Sequence, residues 1–205
     1  LPTIYDLKPR FQRLIRPAAA GLVARGITAN QVTLAGLALS GLGGLLVGLT
    51  GAHWAALALL PAILLVRMAL NAIDGIMARE HGQQTRLGAL LNELTDPAAD
   101  ALLYLPLAFS PHVPGALLVA VVTAGILAEM AGAVAPTVGA RRRHDGPFGK
   151  SDRAAFFGLF AVLLAALGGG AWVAWALWIG LALSAATVLN RCRKALRENT
   201  PGEGE

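Results

Sequence analysis

From residue 29 to residue 190 the sequence is a succession of long apolar runs joined by short turns, and that pattern limits what the chain can fold into. A helix needs roughly 20 mostly apolar residues to cross a hydrocarbon core of about 30 Å. The runs lie at about 29–49, 54–79, 88–109, 115–138, 154–167 and 171–190, the last two separated by Gly168, Gly169 and Gly170. Charged residues make up 14% of the chain, against about 25% in soluble domains. The expectation is an all-α integral membrane protein of six transmembrane helices, with no separate soluble domain.

Ahead of the first run, residues 7–24 interleave Lys8, Arg10, Arg13 and Arg16 with Leu7, Phe11, Leu14 and Ile15. Apolar residues at 7, 11, 14 and 15 share one helical face, which predicts an interfacial helix interrupted or restarted at Pro17. The domain reading is therefore an amphipathic segment over 1–28, a six-helix membrane domain over 29–190, and a basic polar tail over 191–205, disordered at its end. No cleavable leader is expected, because the first twenty residues are basic and mixed.

Of the 17 Lys and Arg residues, all but Arg67 fall in the amino-terminal segment, the 79–86 turn, the 139–153 loop or the tail. The turns near 50–53, 110–114 and 168–171 hold none. Such an asymmetry places both termini in the cytoplasm, and His53, Trp54, His112, Trp172 and Trp175 at the opposite interface. The net charge of +5 is then a topology signal facing anionic lipid. Nucleic acid is not an expected partner, since aromatic residues do not alternate with the basic ones as a single-strand binder requires. The lone cysteine, Cys192, excludes an internal disulfide.

Polar residues are costly inside a membrane and mark function, pathways or pairs. Here they cluster: Asn71, Asp74, Gly75, Ala78 and Arg79 end the second run, and Gly88, Asn92, Glu93, Asp96 and Asp100 follow in the third. On helices, 71, 74 and 78 share a face, as do 88, 92, 96 and 100. The short connection makes the two helices antiparallel neighbours, so those faces converge near the cytoplasmic surface. Carboxylate and amide oxygens are hard donors suited to Mg²⁺ or Mn²⁺. Arg79 and Arg86 add charge for phosphates, and Gly75, Ala78 and Gly88 let a ligand come close. The residues alone thus imply a divalent cation and a phosphate-bearing ligand approached from the cytoplasm.

That spacing resembles the CDP-alcohol phosphotransferase family, whose signature is D-x-x-D-G-x-x-A-R, eight residues, then G-x-x-x-D-x-x-x-D. Asp74, Gly75, Ala78, Arg79, Gly88 and Asp96 match it. The entry Ile27-Thr28-Ala29-Asn30-Gln31-Val32-Thr33 and the six-run layout extend the likeness over most of the chain. The resemblance implies a phospholipid-synthesising transferase that moves a phosphatidyl group from a CDP-linked lipid, commonly CDP-diacylglycerol, to an alcohol and releases CMP. It implies two divalent cations on the donor pyrophosphate, with Asp74 as a metal ligand and Asp96 as the general base. Gly75, Ala78, Arg79 and Gly88 would border the cytidine diphosphate, and a homodimer is a further implication.

The first and third aspartates of the signature are Asn71 and Asn92 here, so the four positions carry −2 rather than −4. Ligand charge tunes divalent affinity, which implies weaker binding or a single well-held cation. Asp100, one turn beyond Asp96, is the better candidate to restore charge, since Glu93 points about 100° away from Asn92. Lys150 and Arg153, before the fifth run, are candidates to clamp an anionic headgroup. Asn30 and Thr33 are read either as a helix cap or as nucleotide contacts. Arg67 and Glu129 are read either as a structural ion pair or as a support for Asn71 and a wall of the acceptor cavity. Two other functions stay open: a catalytically inactive lipid- or nucleotide-binding protein, and a transporter.

Overall fold

The computed structural model describes residues 4–198, with the side chains of residues 4–10 and of residue 12 excepted. Leu7, Lys8 and Arg10 of the expected interfacial face, and the end of the tail, therefore lie outside what is described. Among the described residues the α-helices are α1 (Ile4–Ala24), α2 (Ala29–Leu49), α3 (Trp54–Glu80), α4 (Arg86–Tyr104), α5 (Gly115–Val134), α6 (Lys150–Leu167) and α7 (Ala171–Arg197). Short 3-10 turns at Leu105–Phe109 and Ala135–Val138 extend α4 and α5.

Four of these helices, α2, α3, α5 with its 3-10 extension, and α7, are long and apolar enough to cross a membrane. The runs expected to form the third and fifth spans are helical, but they carry more charge. Arg86, Glu93, Asp96 and Asp100 interrupt α4, and Lys150, Asp152 and Arg153 open α6.

Two compact units divide the chain. One comprises the residues up to Leu42 together with Ala62–Ala99; the other comprises Gly43–Pro61 and the residues from Asp100 onward.

In the first unit, Ile15 and Ala19 of α1 pack with Ala29 and Val32 of α2 and Ile73, Ile76 and Met77 of α3. The buried stripe of α1 is thus 15, 19, 22 and 23, an i, i+4, i+7, i+8 pattern. Phe11 and Leu14 lie outside this stripe and are exposed. Nor does Pro17 interrupt α1. It stands on the exposed face, so the carbonyl it leaves unpaired is open to solvent. The start of α2 is capped by Thr28 and Gln31. The Gln31 N–H donates to Thr28 Oγ1 at 3.3 Å, and the Thr28 N–H donates to Gln31 Oε1 at 2.8 Å. This reciprocal capping box takes the role that Asn30 and Thr33 were candidates for.

The second unit is built on Leu103, Tyr104, Leu107, Leu118, Phe157, Phe160 and Leu177, all buried. The rings of Tyr104 and Phe157 stack with centroids 3.9 Å apart. Gly44 lets two backbones meet: a Cβ there would stand 1.8 Å from the carbonyl oxygen of Leu102. Small residues at helix crossings serve this purpose in lipid. Helix α7 continues past the expected end near Asn190 as far as Arg197. The extra turns are held because Arg191 is buried and hydrogen-bonded there, not solvated as a tail residue would be.

Candidate active site

The last turns of α3 and the first of α4 place the clustered polar residues. Ile73, Ile76 and Met77 face the apolar core of the first unit, with Ala78 packed at its edge, which turns Asp74 and Gly75 the other way. An open pocket of about 590 Å³ lies there, lined by Asp74, Gly75, Ala78, Arg79, Arg86, Gly88 and Asn92, and by Asn30 and Thr33 from α2. Nine of the residues singled out in the sequence thus share one cavity.

Its polar contacts are specific. Asp74 is 5% exposed, and the Thr33 hydroxyl donates to its Oδ2 at 2.7 Å. Asn71 Nδ2 donates to Asp96 Oδ1 at 3.4 Å, joining the expected base to the helix that carries Asp74. Arg67, buried in α3, donates from Nη2 to the backbone carbonyl of Asp96 at 3.1 Å. It therefore supports the Asp96 turn, while Glu129 belongs to a separate cluster in the second unit.

Two glycines make room. A Cβ on Gly75 would lie 3.0 Å from the Arg79 guanidinium, which folds back over the helix at that point. A Cβ on Gly88 would lie 2.6 Å from Asn30 Oδ1. Both glycines let a polar side chain lie close to the backbone, most tightly at Gly88.

The connection between α3 and α4 supplies residues that sequence reasoning missed: Gln83, Gln84 and Thr85 also line the pocket. Gln83 Oε1 accepts the Ala29 N–H at 2.6 Å. Thr85 Oγ1 accepts the Gly88 N–H at 2.9 Å and caps α4. The readable signal was Thr85 directly before a helix start. As a result, the amino-terminal ends of α2 and α4 both border the pocket, and helix N-termini favour anions.

The remaining candidates belong to the second unit. Arg153 is 2% exposed and donates to Asp100 Oδ2 from Nε at 3.0 Å and from Nη2 at 2.9 Å. Its Nη2 is also 3.0 Å from Glu129 Oε1. Glu129 Oε2 is 3.5 Å from Arg191 Nη1, and Arg191 donates to the carbonyls of His144 and Asp145. Asp100 and Arg153, expected to face ligands, thus also hold each other. Lys150 begins α6 one turn before Arg153 and is half-buried.

The donors offered by Asp74, Asp96, Asn71 and Asn92 are all oxygen, which suits a hard divalent cation. Among the described residues, no three His, Cys, Asp or Glu side chains gather into a metal cage.

The family model for CDP-alcohol phosphatidyltransferase matches residues 26–186, which include every element of this pocket. The chain belongs to the CDP-alcohol phosphatidyltransferase family. This phosphatidyltransferase is 47% identical over 197 residues to the Escherichia coli (strain K12) inner membrane protein YnbA, spanning 95% of the present chain and 96% of that protein. It is 32% identical over 124 residues to the phosphatidylinositol phosphate synthase of Mycolicibacterium smegmatis, covering 57% of this chain and 54% of that one. Among solved structures, it resembles the Mycobacterium tuberculosis phosphatidylinositol phosphate synthase PgsA1 with CDP-DAG bound. The TM-score is 0.77 at 22% identity, over 94% of this chain and 98% of that one. The same enzyme in complex with manganese and citrate gives a TM-score of 0.75 at 23% identity, over 92% and 91%. These likenesses carry the fold. With its apolar helices, the phosphatidyltransferase is a multi-pass membrane protein that moves a phosphatidyl group from a CDP-linked donor to an alcohol.

Proposed function

We propose that this phosphatidyltransferase takes CDP-diacylglycerol as its donor, and that Asn71, Asp74, Asn92, Asp96 and the pocket between α2, α3 and α4 form its active site. The observation that carries the reading is the pair of contacts Thr33–Asp74, in the pocket wall, and Asn71–Asp96, between α3 and α4. The donor diphosphate lies against the amino-terminal ends of α2 and α4, with Arg79 and Arg86 matching its charge. Gly75, Ala78 and Gly88 admit the nucleotide, and Asn30 touches it from α2.

Asp96 takes the proton of the acceptor hydroxyl. The acceptor oxygen forms a bond to the phosphatidyl phosphorus, the bond from that phosphorus to the bridging oxygen breaks, and CMP leaves with the electron pair. Asn71 and Arg67 hold Asp96 in place for this. A divalent cation, Mg²⁺ or Mn²⁺, would be held by Asp74 with Asp96 and the amide oxygen of Asn92, and would supply charge neutralisation for the diphosphate. The PgsA1 structure in complex with manganese and citrate supports that ion class.

In this reading α4 and α6 also cross the bilayer, completing six spans with both termini and the active site at the cytoplasmic face of the cytoplasmic membrane. The name of the E. coli relative supports that location. Residues 1–28 lie at the interface ahead of the 29–190 membrane domain, and a homodimer is part of the proposal. Lys150 and Arg153, at the start of α6, clamp an anionic group of the acceptor, and Asp100 holds Arg153. The binding-only alternative is favoured by one observation, the loss of carboxylates at Asn71 and Asn92. Metal-dependent release of CMP from CDP-diacylglycerol with an alcohol acceptor separates the two.

A further inference from the structure

The four positions Asn71, Asp74, Asn92 and Asp96 alternate amide and carboxylate, one of each on α3 and on α4. The amide of Asn71 is oriented. Its Nδ2 donates to Asp96 Oδ1 at 3.4 Å, while its Oδ1 faces α2, 3.5 Å from where a Cβ on Gly36 would stand. A carboxylate in place of Asn71 would confront Asp96 with a like charge, and a cation between them would relieve it. The amide instead offers Asp96 an N–H, which a carboxylate accepts without a cation. Asp74 is placed differently: Thr33 holds its Oδ2, and it shares the pocket lining with Asn92.

We infer that this site holds a single divalent cation, ligated chiefly by Asp74, and that the Asn71 amide stands in for a second cation at Asp96. Asn71 is then a positioning residue for the base. The inference rests on the reading that the pocket takes a metal. It adds that the site charge of −2 is matched by one M²⁺, with no second cation to be recruited.

The test is Mn²⁺ stoichiometry on the purified full chain in detergent, read from the loss of the free Mn²⁺ paramagnetic resonance signal and from calorimetry. One Mn²⁺ per chain is expected in wild type, and two in the double variant Asn71→Asp with Asn92→Asp. Asn71→Asp alone, expected to gain a second and weaker site, covers the case in which the double variant does not fold. Two Mn²⁺ ions in wild type would overturn the inference and leave the transferase reading standing. A count of one in every folded variant would overturn the role given to Asn71. No binding in wild type would remove the metal reading itself, and this inference with it.

Discussion

Thr33 and Asp74, 41 residues apart in sequence, meet in a buried 2.7 Å hydrogen bond between hydroxyl and carboxylate. The contact ties the first turns of α2 to the last turns of α3 and fixes the direction in which Asp74 offers its other oxygen. Hydrogen bonds to charged groups contribute about 1.5–3 kcal/mol. Thr33→Val is therefore expected to weaken Mn²⁺ binding about tenfold or more. Titration of the variant checks this, and unchanged affinity would detach Thr33 from the site.

Gly88 faces Asn30 so closely that a methyl group must displace it. Overpacking costs about 1–3 kcal/mol, and here that cost falls on the pocket wall. Gly88→Ala is expected to raise KM for CDP-diacylglycerol by about tenfold. A steady-state comparison at saturating acceptor measures it.

Arg153 compensates Asp100 and Glu129 together. Removing one side of a buried pair leaves uncompensated charge, at a cost of about 3–5 kcal/mol. For a chain of this size Arg153→Met is expected to lower Tm by roughly 6 °C or more. If Tm is unchanged in detergent, the cluster does not hold the unit together.

Asp145, in the connection before α6, pairs with Lys194 at 2.8 Å. Partial burial pushes its pKa up, but the Lys194 hydrogen bond and the nearby Lys194 and Arg143 charges outweigh this and hold it below the usual value. A depressed carboxylate stabilises the fold above the unfolded pKa of about 3.9, and that contribution is lost as pH falls through the lower folded value. Asp145→Asn is expected to lower Tm by about 1–3 °C at pH 7, with the difference shrinking as pH falls below about 3.9. A constant difference across that range would contradict the pairing.

Much of this was legible in the sequence, and for stated reasons. The spacing from Asn71 to Asp96 is helical and therefore local; Asp74, Gly75, Ala78, Arg79, Gly88 and Asn92 line the pocket, while Asn71 and Asp96 meet each other outside its lining. Thr28 and Gln31 had the capping-box spacing, so the true cap of α2 could have been read as well. The ion pairs could not. Asp100 and Arg153 are 53 residues apart, and no local pattern states that a cation in the first turn of α6 is matched by carboxylates of α4 and α5. The basic 139–153 loop was expected to meet lipid or an anionic acceptor. In the fold, Arg143 is 2.5 Å from Glu198, and the Arg191 guanidinium holds the loop carbonyls of His144 and Asp145. Likewise, hydropathy does not reveal which face of α1 turns inward, and Ile15 and Ala19 were decided by what they pack against.

The most direct test of the account is CMP release by the purified protein from CDP-diacylglycerol with Mg²⁺ or Mn²⁺ and a panel of alcohols, with Asp96→Asn as the comparison. The account predicts release that requires both an acceptor and a divalent cation, and that falls by a factor of about 10² or more in the variant. Tight binding of the CDP-lipid with no release under any metal or acceptor would contradict it.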